Sequence, residues 1–361
     1  SLNQMCNAYD ITLGKNNQIP LVSYLQSEPE PEPEPEPIPE PEPEPEVLLE
    51  SDTSFSSLSS LIEINSNTST WRDVATSSNG QYIYLVNATN ILYKSNDYGA
   101  TYTTKTLSNQ AAVVACSESG QIVVAVQSQK SIKTSSNFGE TWTSAHSGAR
   151  WYDIGMSKDG THILIGNGNW VELYSGIGVL ISSNSGSSYE FKGMGTNVDE
   201  FMSASVSYDG QYSFLHRNDG DRVYISSNYF YSFTSKVISN FTGVAYSKTT
   251  ISDSGQYMAV VAGTEGKGIF ISSDYGNNWS RKYNPSNVGF SGIKMSSSGK
   301  YIVASGINDY IYISYDYGEN WEKLTSLGSK DWRRIDVNFV DDEIQYYFTV
   351  NNGKVYKGVL S

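Results

Sequence analysis

The chain has 361 residues, a formal charge of −14 and only 17% charged residues. Nine of the negative charges are glutamates between Glu28 and Glu46, leaving −5 for the rest, so acidity belongs to one segment. With no basic patch interleaved with aromatics, the composition argues against nucleic-acid binding. Apolar runs are strand-sized, which argues against a membrane span, and the two cysteines exclude a disulfide framework.

In chain order, residues 1–26 come first, with apolar spots at Ile11–Leu13, Ile19–Val22 and Tyr24–Leu25. The segment is too short to fold alone. It reads as a frayed terminus or as a docking segment for a protein partner or another copy of the chain. A chain that opens on Ser1 reads as processed or as a fragment.

Residues 27–47 follow, and from Glu28 to Glu46 Pro and Glu alternate with one break at Ile38. Proline fixes φ and adjacent carboxylates repel, so the expectation is a stiff polyproline II spacer, about 60 Å long at ~3.1 Å per residue.

Residues 48–361 carry a repeat. A turn of the form S-x-[DN]-x-G-x-x-[WY] stands at Ser95–Tyr102, Ser135–Trp142, Ser182–Tyr189, Ser272–Trp279 and Ser314–Trp321, with a worn copy at Ser226–Phe233. Its fifth residues are Gly99, Gly139, Gly186, Phe230, Gly276 and Gly318, spaced by 40, 47, 44, 46 and 42 residues. That is the length of one four-stranded propeller blade. Small turns such as Asn79-Gly80 and Asp159-Gly160 run in phase with it.

In the first repeat, Trp71–Ser77, Gln81–Asn87, Ile91–Ser95 and Thr101–Leu107 read as strands. No stretch shows a helical period, so the chain reads as all-β. The blades are expected at about 71–110, 111–150, 151–197, 198–242, 243–288, 289–330 and 331–361. The last repeat lacks a fourth strand, and Ser59–Asn65 is the candidate to supply it. A ring of seven blades closed by this N-terminal strand leaves no free sheet edge. Six blades is the competing count.

Local chemistry explains the turn. The Asp or Asn accepts backbone N–H bonds, the glycine supplies positive φ, and the aromatic packs on a neighbouring sheet. Phe230 in the glycine position is expected to make its turn irregular.

These turns resemble the Asp-box of sialidase-type (BNR) repeats, found in sialidases, other glycoside hydrolases, sortilin-type receptors and photosystem II assembly factors. The resemblance implies that Asp97, Gly99, Asn137, Gly139, Trp142, Asn184, Gly186, Asp274, Gly276, Trp279, Asp316, Gly318 and Trp321 are structural, on the face away from a ligand. The chain resembles the non-catalytic seven-bladed members. Sialidases use three arginines, a tyrosine nucleophile backed by Glu, and an acid Asp. Their first arginine lies in a Phe-Arg-Ile-Pro motif, and the nearest local string, Trp332-Arg-Arg-Ile335, lacks the proline and stands in the last blade.

Recognition is expected on the opposite face, where the third blade has a long loop bearing Trp170, Glu172 and Tyr174. Arg217, Arg222 and Tyr310 stand in neighbouring loops. An exposed aromatic with charged companions suits a glycan or peptide. His146, His162 and His216 lack ligand spacing, so neither metal nor cofactor is expected. Cys116 reads as a buried apolar thiol, and Cys6 as a thiol that is free or cross-linked to a partner. Sequons at Asn67, Asn87, Asn240 and Asn278 match chance for this composition.

The expected function is a non-catalytic extracellular structural or adhesive module, tethered by its arm to an assembly or to other copies. A carbohydrate- or protein-binding receptor domain comes second and a glycoside hydrolase third.

Overall fold

The computed structural model describes residues 62–107, 111–127, 131–147, 151–167, 178–194, 201–217, 220–241, 247–340 and 343–360. The described residues form 28 strands in seven four-stranded sheets. The first blade runs outward from Trp71–Thr76 through Ile83–Asn87 and Ile91–Ser95 to Thr103–Thr106, in that hydrogen-bonded order. Five more blades repeat this antiparallel meander.

Burial follows position in the blade. The second strand has neighbours on both faces, so its apolar run is fully buried: Ile83, Tyr84, Leu85 and Val86 are all 0% exposed. The fourth strand faces solvent, and Thr103–Thr106 is polar and exposed throughout. The core is accordingly divided among the seams between blades. Ala75, Tyr84, Val86 and Leu92 of the first blade meet Val114, Val123 and Ala125 of the second.

The last blade consists of Trp332–Val340, Glu343–Val350 and Gly353–Leu360, and Ile62–Ser69 supplies its fourth strand. The pairing is antiparallel, from Ile62 opposite Lys357 to Ser69 opposite Gly353. The expected clasp is therefore present, although its described strand ends four residues later than Asn65, and residues 59–61 lie outside the described residues. Trp71, 1% exposed, seals the junction by donating from Nε1 to the Gly353 carbonyl at 3.0 Å.

A chain of backbone bonds links the blades around the axis. Ser78 N–H donates to Glu118 O, Glu118 N–H to Lys158 O, Lys158 N–H to Tyr208 O, Tyr208 N–H to Asp253 O, and Asp253 N–H to Ser297 O. These turns join the first and second strands, on the same side as the repeated boxes.

Phe230 corrects one expectation. Its turn is regular: Phe230 N–H donates to Ser226 Oγ at 3.1 Å, as Gly99 N–H does to Ser95 Oγ at 2.9 Å. The residue adopts φ +70° despite its side chain. The compensation is burial, since the ring is 1% exposed among Leu164, Val179, Phe201 and Leu215.

Candidate functional site: the axial channel and the loop face

In six blades the innermost strand carries a register shift near its start, as between Trp71 and Asp73 or between Trp151 and Asp153. A bulge re-aims the side chain that follows it. The inner strands surround an axial cavity of about 200 Å³ lined by Asp73 and Asp153, which follow such bulges, together with Lys248, Lys294, Arg334 and Asp336. This volume is below the roughly 300–1,000 Å³ of small-molecule sites.

The charges are paired. Lys248 Nζ lies 3.1 Å from Asp153 Oδ2, Lys294 Nζ 3.4 Å from Asp336 Oδ1, and Arg334 Nε 3.9 Å from Asp73 Oδ1. The same inward side chains also catch the inner strand of the next blade. Asp73 Oδ2 accepts the Val114 N–H at 3.0 Å, and Asp153 Oδ2 accepts that of Ala204 at 3.3 Å. Ser203 Oγ accepts the Thr249 N–H at 2.9 Å, and Thr250 Oγ1 accepts that of Met295 at 3.1 Å. Asp336 Oδ2 takes both the N–H and the hydroxyl of Thr76, at 2.7 and 2.8 Å.

Burial dominates the electrostatics. Desolvation raises Asp73 to about 7, aided by the Asp153 carboxylate and opposed by the Arg334 guanidinium and the Val114 N–H. Desolvation raises Asp153 as well, against Arg334 and the Ser203 hydroxyl. For Lys294 burial pulls downward, but the carboxylates of Asp336, Asp73 and Asp153 outweigh it and raise the ammonium. A carboxyl near neutrality has the pKa of a general acid, yet Asp73 already holds two blades together. Cys116 lines the same channel half-buried rather than fully enclosed, and desolvation raises its thiol.

The repeated turns are built alike. Ser95 Oγ donates to Asp97 Oδ1 at 2.8 Å, and Asp97 Oδ1 accepts the Thr101 N–H at 2.9 Å. Both central residues have positive φ (Tyr98 +62°, Gly99 +91°) and Asp97 O accepts the Ala100 N–H, the pattern of a type I′ turn. Asn137, Asn184, Asp274 and Asp316 repeat the serine bond. The indole N–H groups of Trp142, Trp279 and Trp321 donate to Gly139, Gly276 and Gly318 carbonyls at 2.8–3.0 Å. The Thr101 hydroxyl and N–H bonds hold Asp97 below the usual carboxylate range.

On the opposite face, Trp170, Glu172 and Tyr174 lie outside the described residues. Arg217 and Arg222 belong to the fourth blade and Tyr310 adjoins the third strand of the sixth, so the fifth blade stands between them. Arg217 is nearly buried and donates to the Tyr224 hydroxyl at 3.2 Å, whereas Arg222 is exposed and reaches Ser235. Tyr310 has Lys323 Nζ 4.2 Å above its ring, and Lys323 pairs with Asp309 at 3.3 Å. His216 is buried between Ser247 Oγ and Gly220 O. Asn87, 2% exposed, directs its side-chain oxygen to the Thr89 N–H and its amide to Ser69, which removes it as a glycan acceptor in the folded chain.

The channel charges were not singled out from the sequence. The available signal was six charged residues placed within the inner strands.

Solved structures share the fold at low identity. YCF48 from Cyanidioschyzon merolae aligns with a TM-score of 0.62 and 12% identity over 83% of this chain and 98% of its own. A structure of YCF48 bound to D1 peptide aligns with a TM-score of 0.62 and 14% identity over 85% and 98%. No family model and no curated protein sequence matches the chain.

Proposed function

We propose that the chain is a non-catalytic, extracellular or surface-displayed module of the Asp-box type that binds a protein partner and is tethered through its N-terminal arm to an assembly. One observation carries this reading: three carboxylates of the channel are engaged in holding adjacent blades. Asp73, Asp153 and Asp336 each take a backbone N–H of the next blade as well as a cation. Recognition then falls to the loop face and the arm. A similar fold solved with a bound peptide supports a protein partner as an analogy of fold.

Removing residues 1–46 tests the tether. Loss of higher-order assembly, with a folded monomer by sedimentation and circular dichroism, is the expected result. Assembly that persists without the arm refutes it. A second reading, glycan binding on the loop face, draws on Tyr310 with its charged neighbours Asp309 and Lys323. A glycan-array signal that disappears in Trp170→Ala would favour it. Turnover of any member of a broad glycoside panel would overturn the non-catalytic assignment.

A further inference from the structure

Three sequons lie wholly within the described residues: Asn67-Thr-Ser69, Asn87-Ala-Thr89 and Asn278-Trp-Ser280. The one at Asn240 ends on Thr242, outside them. A sequon takes an N-linked oligosaccharide on its asparagine Nδ2, and the bulky, solvated product belongs on a surface. What separates the three is where each Nδ2 goes.

Two are closed. Asn87 is 2% exposed, and its Nδ2 donates to Ser69 Oγ at 3.1 Å. Asn278 Nδ2 donates to Asp274 Oδ2 at 2.6 Å inside a box, with Trp279 half-buried beside it. A sugar on either nitrogen pushes into a turn that the fold needs.

Asn67 is open. Its strand pairs Asn65 with Val355 and Ser69 with Gly353, so four steps on one side face two on the other. The surplus bulges out, and both Asn67 and Thr68 are exposed there. The bulge is held without the Asn67 side chain, because the Asn67 N–H donates to Asn65 Oδ1 at 2.9 Å. Among the described residues the Asn67 amide itself has no hydrogen-bond partner.

The position has a physical use. Ile62–Ser69 is the outermost strand of its sheet, with one edge unpaired. Such an edge recruits strands from other chains unless a charge, often a lysine, or a cover blunts it. The outer strands of five other blades carry Lys105, Lys192, Lys236, Lys282 and Lys323. This strand has no lysine, and its single charge, Glu63, is paired with Lys354 at 2.7 Å.

We propose that Asn67 is an N-glycosylation site whose oligosaccharide shields this edge. The inference rests on the extracellular reading, because the co-reactant is a lipid-diphosphate-linked oligosaccharide of the secretory route. Asn67 Nδ2 bonds to the anomeric carbon as the carbon–oxygen bond to the diphosphate breaks. The lipid diphosphate leaves with the electron pair, and the amide gives one proton to solvent.

The full chain, sent by an added leader through the secretory route of a eukaryotic cell, tests the site. Peptide N-glycosidase in heavy-oxygen water marks each formerly occupied asparagine as a labelled aspartate, read by mass spectrometry. Label at Asn67 and none at Asn87 or Asn278 is the expected result; a folded, secreted chain bare at Asn67 overturns the proposal. Asn67→Gln removes the acceptor and no native side-chain bond. Its light scattering on heating is expected to rise roughly twofold over the glycosylated parent, and equal scattering overturns the shielding role. Fractionation of the natural source separates this inference from the reading beneath it. A cytosolic chain overturns both, whereas a secreted chain bare at Asn67 overturns this one alone.

Discussion

Asp336 and Thr76 are 260 positions apart in the chain, yet the Asp336 carboxylate accepts both the N–H and the hydroxyl of Thr76. The last blade thus grips the first at the axis, while Ile62–Ser69 grips the last blade at the rim. Closure rests on contacts at two radii.

The axial grip has a measurable cost when removed. Asp336→Ala strands the Thr76 N–H and leaves Lys294 without its nearest carboxylate. A hydrogen bond to a charged group contributes about 1.5–3 kcal/mol. Lys294 is partly exposed, so the ion pair adds little to this. Urea unfolding is expected to show a loss of about 2–4 kcal/mol, with Asp336→Asn closer to the parent because its amide oxygen still accepts.

Phe230→Gly sets two effects against each other. The change relieves a left-handed phenylalanine, a gain of about 1–2 kcal/mol. It also empties a fully buried ring site, and removal of a core phenylalanine costs about 3–5 kcal/mol. The cavity wins. A net loss of about 1–4 kcal/mol in chemical unfolding is the expected outcome, although the variant restores the consensus glycine.

Asp73 makes stability depend on pH in a direction opposite to that of the boxes. Its folded pKa of about 7 lies above the ordinary carboxylate value, so its contribution is full below pH ~4 and is lost as pH rises through 7. Asp97, Asp274 and Asp316 are lowered, so they stabilise above the ordinary value and lose that effect in acid. Asp73→Asn should therefore gain on the parent between pH 4 and pH 7, and the difference should level off above 8. Melting temperatures measured across this range check the sign; a parent chain that gains on the variant over the same interval contradicts it.

Legibility in the sequence followed locality. The turn at Ser95–Tyr102 closes within eight residues, its bonds are internal, and its period marks six of the seven blades. A seventh blade starting at Trp332-Arg-Arg-Ile335 read out from the β-like residues that follow the last box. The channel did not read out, because the column running Asp73, Val113, Asp153, Ser203, Lys248, Gly292 and Arg334 has no consensus. Each polar group there answers the particular blade beside it, and only ring closure brings Asp336 to Thr76. Phe230 misled for a related reason: the turn chemistry is local, but the pocket that holds its ring is shared with the preceding blade through Leu164 and Val179.

The clasp separates two truncations that are similar in length. Removing residues 1–46 leaves Ile62–Ser69 paired with Gly353–Leu360, so the melting temperature is expected to stay within a degree or two of the parent. Removing residues 1–69 strips that strand and with it Ile64, which packs against the cluster of Trp71, Tyr347 and Val355. It also bares the edge of Gly353–Leu360, a row of unpaired N–H and C=O groups that recruits strands from other chains. The second truncation is expected to melt several degrees lower and to associate as concentration rises. Light scattering alongside calorimetry distinguishes the two, and equal melting of both truncations would show that the ring holds without its first strand.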